Sequence, residues 1–76
     1  MTRAEVVAWA ESHGWTRDSW GHYQYETQQG KRYRLKLSRI AARYEVRSEC
    51  GWVRLMSGYY RDLSIDPNGR LVGMKR

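Results

Sequence analysis

Seventy-six residues carrying 14 Lys and Arg against 8 Asp and Glu give a formal net charge of +6. A chain this short has room for one small domain with a shallow site, not for a two-domain enzyme with a deep cleft. Its 41% hydrophobic content, with four Trp and six Tyr, excludes a disordered tail despite the charge.

The first expected element is a helix over about residues 3–13. Thr2 and Glu5 have the spacing of a capping box, in which the Thr hydroxyl accepts from the Glu5 amide and the Glu carboxylate accepts from the Thr2 amide. Ala4, Val6, Val7, Trp9 and Ala10 form an apolar stripe, and Gly14 supplies the left-handed residue that ends helices. His13 then stands as a cation near the negative pole of the helix dipole.

After Trp15 the chain reads as strand and turn. Tyr23, Tyr25 and Thr27 alternate with His22, Gln24 and Glu26; after a turn at Gly30, Tyr33, Leu35 and Leu37 alternate with Arg32, Arg34 and Lys36. A second hairpin pairs Ile40 to Arg47 with Trp52 to Met56 across Glu49-Cys50-Gly51. A third joins Leu63 and Ile65 to Leu71, Val72 and Met74 through Asp66-Pro67-Asn68-Gly69, where Pro suits the first central turn position and Gly a left-handed one. The expected fold is α+β, a single domain over 1–76. One N-terminal helix packs on a curved antiparallel sheet of five or six strands, which must curl or close partly into a barrel to hide its apolar face. The core is marginal at this length, and ten aromatic residues are the expected compensation.

The charge is concentrated in the middle. Residues 1–30 hold two cations against four carboxylates, residues 31–54 eight against two, and residues 55–76 four against two. Strand alternation puts Arg32, Arg34 and Lys36 on one face with Arg43 and Arg47, spaced about 7 Å apart along each strand. Such a row suits a phosphate backbone, because each neutralised phosphate releases condensed counterions, and Arg adds bidentate contact. Arg39 and Arg54 lie at its margin. The same alternation turns Tyr23, Tyr25, Tyr33 and Tyr44 toward the core. Trp20, Trp52, Tyr59 and Tyr60, at strand ends or beside Gly21, Gly51 and Gly58, are the exceptions; Trp52 and one of the adjacent pair Tyr59 and Tyr60, with Tyr60 taken as the candidate, are left to stack on unpaired bases. A solvated face that keeps the protein soluble, and a surface for an acidic protein partner, are the other readings of this stripe.

Catalysis has one weak candidate, His22, which lacks a visible second acid or base. Cys50, His13 and His22 have no metal-ligand spacing, the seven glycines form no phosphate-cradling loop, and no cofactor is expected. A single cysteine cannot make an internal disulfide, the first ten residues lack the features of a signal peptide, and no run of about 18 apolar residues could span a membrane. These features point to the cytoplasm and away from the membrane, while the cationic face points to RNA or single-stranded DNA as partner.

Val6 to Leu37 holds a helix ending in His13-Gly14-Trp15. Trp20-Gly21-His22-Tyr23-Gln24-Tyr25-Glu26, a Gly turn and Arg32-Tyr33-Arg34-Leu35-Lys36-Leu37 follow. That order resembles the first half of HicA-type toxins. The resemblance implies a double-stranded-RNA-binding-like fold and mRNA cleavage by a strand His in a Gly-Ser-His motif, onto which His22 maps. Here the motif reads Trp-Gly-His, and strands are expected after Leu37 where that family places its closing helix.

Overall fold

The capping box forms as its spacing dictates. In the computed structural model, which describes residues 1–73, the Thr2 hydroxyl accepts from the Glu5 amide at 3.1 Å and the Glu5 carboxylate accepts from the Thr2 amide at 2.8 Å. The helix α1 runs from Arg3 to Ser12 and buries Val6 and Ala10. It ends one residue before the expected limit because His13 takes the C-cap position ahead of Gly14, whose φ is +84°. The His13 ring stacks on Trp9, and its Nδ1 donates at 2.8 Å to the Trp9 carbonyl, which also accepts the His13 amide and the Ser12 hydroxyl.

Five strands follow as an antiparallel meander: β1 (Thr16–Arg17), β2 (Tyr23–Glu26), β3 (Arg32–Leu37), β4 (Ala41–Ser48) and β5 (Gly51–Tyr59), hydrogen-bonded in that order. A 3₁₀ turn at Tyr60–Asp62 redirects the chain into β6 (Ser64–Ile65) and β7 (Leu71–Val72), which among the described residues pair only with each other. Met74, at the end of the expected third hairpin, lies outside the described residues.

The sheet does not close into a barrel and has five strands, not six. The apolar face is hidden by other means. Val6 and Ala10 of the helix meet Tyr23, Leu35, Leu37 and Ala42, while Leu63 and Leu71 bring the small β6–β7 sheet onto the same core. The Trp9 indole donates to the Gly69 carbonyl at 2.8 Å and ties that hairpin to the helix. With two layers already on one face, closure is unnecessary.

The aromatics knit the core where aliphatics are few. Trp15 packs its ring against Trp9, Tyr25 and Tyr44, and Tyr44 stacks on Tyr33 with centroids 5.7 Å apart. Of the four tyrosines expected inside, Tyr23 is buried and Tyr33 and Tyr44 are half-buried. Tyr25 shares their face but stays exposed at the rim, packed against Trp15. The Tyr23 hydroxyl donates to Glu11 at 2.8 Å, and that bond, aided by burial, holds its ionisation above the usual tyrosine value. Burial does the same for Tyr44 and Tyr60.

Three of the hairpin loops are built alike. In Asp18–His22, Thr27–Lys31 and Asp66–Arg70 the first residue's amide donates to the fifth residue's carbonyl, and the fourth residue's amide donates back to the first residue's carbonyl. The fourth residue is Gly in each, at φ between +81° and +87°, which a side chain would strain. The first residue's side-chain oxygen accepts the fifth residue's amide at 2.8–3.0 Å, from Asp18, Thr27 and Asp66 alike. This repeated pattern fixes the ends of β2 and β3, and with them the surface described next.

Candidate functional site

The sheet face opposite the helix carries no covering layer among the described residues. Strand register assembles it in rows: Gln24 pairs with Arg34, Arg34 with Glu45, and Glu45 with Arg54; Lys36 pairs with Arg43, and Arg43 with Ser57. Arg47 pairs with Trp52. A bulge in β5, where Leu55 is the extra residue, keeps Trp52 and Arg54 on the same side as Ser57 and Tyr59. The cationic stripe expected from alternation is therefore one continuous surface, and Arg54 belongs to it fully.

Its electrostatics differ from a simple row of free cations. Glu45 is 5% exposed and accepts from Arg34 through Nε at 2.8 Å and Nη2 at 2.7 Å, with Arg43 Nη1 at 3.7 Å. Burying that carboxylate is tolerable only because two guanidiniums flank it. Arg34 also lies 4.2 Å from the Trp52 ring centroid and Arg47 lies 5.8 Å away, so Trp52 is held beneath guanidinium groups. Arg34 acts as the organiser of the face, and Arg32, Lys36, Arg47 and Arg54 make no salt bridge among the described residues.

Two depressions open on this face and meet at His22 and Lys36. The first, about 500 Å³, is lined by Asp18, Trp20, His22, Gln24, Arg32, Arg34, Lys36, Arg47 and Trp52. The second, about 640 Å³, is bounded by Leu37, Ala41, Ala42, Gly58 and Tyr59, with Lys36, Arg43 and Asp62 among its polar lining.

At the mouth of the first depression the Asp18–His22 loop presents Trp20, whose side is 83% exposed. Asp18 Oδ1 accepts from the Trp20 amide at 2.9 Å and the His22 amide at 3.0 Å, and Oδ2 accepts from Gln24 at 3.1 Å. Burial alone would raise the Asp18 value, but these donors outweigh it and hold the carboxyl below its ordinary range. The loop that carries Trp20 is thus pinned by a charged clamp.

His22 is half-buried and accepts at Nδ1 from the Leu37 amide at 3.0 Å. An N–H partner requires a lone pair on Nδ1, so the neutral ring carries its proton on Nε2. In this arrangement the imidazole offers a donor, without a second free lone pair for proton abstraction.

The expected site residues divide clearly. Arg32, Arg34, Lys36, Arg43, Arg47, Arg54 and Trp52 share the open face with His22, whereas Arg39 stands exposed in the β3–β4 turn. Tyr60 leaves the set. It is 6% exposed, and its hydroxyl donates to the Ser38 carbonyl, because the 3₁₀ turn rotates it into the core while Tyr59 faces outward. Gln24 joins the face as its alternation with Tyr23 and Tyr25 places it, and Trp20 and Asp18 join it from the loop, where strand alternation does not reach. The Asp-x-x-Gly spacing shared by Asp18–Gly21 and Asp66–Gly69 is the signal that places Trp20 at a loop tip.

Among the described residues no helix is long and apolar enough to cross a membrane, and no group of three or more His, Cys, Asp or Glu could hold a metal ion. No protein-family model, curated protein or solved structure matches the chain.

Proposed function

We propose that the chain is a non-catalytic binding module that lays single-stranded RNA or DNA across the open face of its sheet. One observation carries the reading: a sheet face without a covering layer whose cations outnumber its carboxylates, with Glu45 buried and bridged and the exposed Trp20 at its edge. Arg32, Lys36, Arg43, Arg47 and Arg54 contact phosphates. Trp20 stacks on a base, and Trp52 contributes through the guanidiniums it orders. An exposed indole beside cations is costly to leave in water and useful against an unpaired base, which offers a π face and a charged backbone together.

The alternative suggested by the HicA-like pattern is RNA cleavage with His22 as base. The Nδ1 bond from Leu37 favours the binding reading, since it leaves the neutral ring a donor. Growth inhibition on expression that is abolished by His22→Ala would restore the enzymatic reading.

Fluorescence anisotropy with a labelled single-stranded RNA at about 50 mM salt tests the proposal. Four or five phosphate contacts predict a slope of log affinity against log salt of about −3. No binding at that salt refutes it, and capture of an acidic protein by nuclease-treated material without nucleic-acid affinity would put a protein-interaction surface in its place.

A further inference from the structure

We infer that the second depression is a pocket for a single unpaired nucleobase, and that Asp62 makes it prefer guanine. The inference rests on the nucleic-acid reading and names what that face selects.

The hollow has a definite origin. On the open face Ala41 opposes Tyr59 and Arg43 opposes Ser57, so two small side chains, Ala41 and Ser57, stand on neighbouring strands where larger ones would fill the space. The resulting volume of about 640 Å³ is within the usual range for small-molecule sites. Leu37, Ala41, Ala42 and Gly58 give it apolar walls, and Tyr59, 48% exposed, adds an aromatic ring. A planar, largely apolar body with polar edges fits such walls.

The lining also dictates where the charge of the ligand goes. His22, Lys36 and Arg43 stand on the side shared with the cationic face. A nucleotide whose phosphate rests on Lys36 and Arg43, with the His22 Nε2–H as a further donor, has its base directed into the hollow. A strand following the cationic face is thereby continuous with the pocket.

Asp62 is the group this arrangement otherwise leaves unexplained. It lines the hollow, is half-buried, and makes no hydrogen bond or salt bridge through its carboxylate among the described residues. A carboxylate accepts only, and beside a polyanion it is repulsive unless the ligand supplies donors. Guanine alone among the four RNA bases presents two adjacent N–H donors, N1–H and N2–H, on its Watson–Crick edge. Adenine and cytosine place a ring-nitrogen acceptor next to their amino group, and uracil flanks its single N–H with two carbonyls. A two-point charge-assisted contact therefore selects guanine.

The experiment is anisotropy with fluorescein-labelled twelve-nucleotide oligouridine, and with the same strand carrying one central guanine or adenine, at about 50 mM salt. Wild-type protein binds the guanine strand about tenfold more tightly than the adenine strand, and Asp62→Asn removes that advantage while oligouridine affinity is retained or rises slightly. Ser57→Trp, which fills the hollow from an exposed position, abolishes the guanine advantage in the same way. Equal affinity for the three strands in the wild type, or a guanine advantage that survives Asp62→Asn, overturns the inference while leaving the nucleic-acid reading intact. Failure of all three strands to bind overturns both.

Discussion

Glu45→Gln separates the two jobs assigned to the open face. The wild-type carboxylate is 5% exposed and bridged at 2.7 Å to Arg34, whose side chain is 21% exposed, and at 3.7 Å to Arg43, which is 49% exposed. Breaking a fully buried pair costs about 3–5 kcal/mol and an exposed one about 0–1. With both guanidiniums in partial contact with water and the Gln oxygen still able to accept from Arg34, the loss should be about 1–2 kcal/mol. For a domain of this length that lowers the melting temperature by roughly 5–15 °C. The same substitution releases up to two guanidiniums from a competing anion, so the salt slope for single-stranded RNA should steepen by about 0.7–1.4. Thermal melts by circular dichroism and anisotropy titrations at several salt concentrations read the two effects separately. A destabilised variant with an unchanged slope would refute the competition of Glu45 with phosphate for Arg34 and Arg43, and an unchanged melting temperature would refute the structural role of the bridge.

Trp20→Ala should leave stability within about 0.5 kcal/mol, because the side chain is exposed, yet weaken single-stranded RNA binding by about 1–3 kcal/mol; equal affinity would remove Trp20 from the interface. Folding lowers the Asp18 value, since donors from Gln24, His22 and Trp20 outweigh burial, so its stabilisation is complete above its ordinary value of 3.8 and is lost as pH falls through the lowered folded value. Acid titration monitored by melting temperature should accordingly show a shallower acid limb in Asp18→Asn, and identical limbs would contradict the clamp. At the other extreme, folding raises the values of Tyr23, Tyr44 and Tyr60, so their contribution is complete below the ordinary value of 10.0 and is lost as pH rises through the raised folded values. Tyrosinate absorbance should therefore report Tyr23, Tyr44 and Tyr60 ionising late, together with alkaline unfolding, and ionisation of these three at the ordinary value in folded protein would refute this packing.

Local patterns were the legible part of this chain. The capping box of Thr2 and Glu5, the two long hairpins, and the division of β3 and β4 into a tyrosine face and a cation face all follow from spacing, and each recurs in the structure. What spacing does not contain is the choice between closing a sheet and covering it. That depended on a 3₁₀ turn at Tyr60–Asp62 and on a hydrogen bond from Trp9 to Gly69, two groups 60 residues apart. The same turn decided the adjacent tyrosines, sending Tyr60 inward and Tyr59 outward, a rotation that strand alternation has no means to fix. At the site, alternation found the cations but not their partners: Glu45 becomes buried only when register aligns it with Arg34. Trp20 could be set apart from the core aromatics by its place beside Gly21, but not assigned to the site, because a loop tip has no periodicity; the Asp-x-x-Gly spacing around it is what fixes the tip.

The location of the interface can be measured through the four tryptophan indoles. Trp20 and Trp52 lie on the open face, whereas Trp9 and Trp15 pack with the core. In a proton–nitrogen correlation spectrum titrated with a twelve-nucleotide single-stranded RNA, the indole resonances of Trp20 and Trp52 should move together with the amides of Arg32, Lys36 and Arg47, while those of Trp9 and Trp15 stay in place. Shifts confined to the Trp9 and Trp15 indoles, or no shifts at all, would contradict the account.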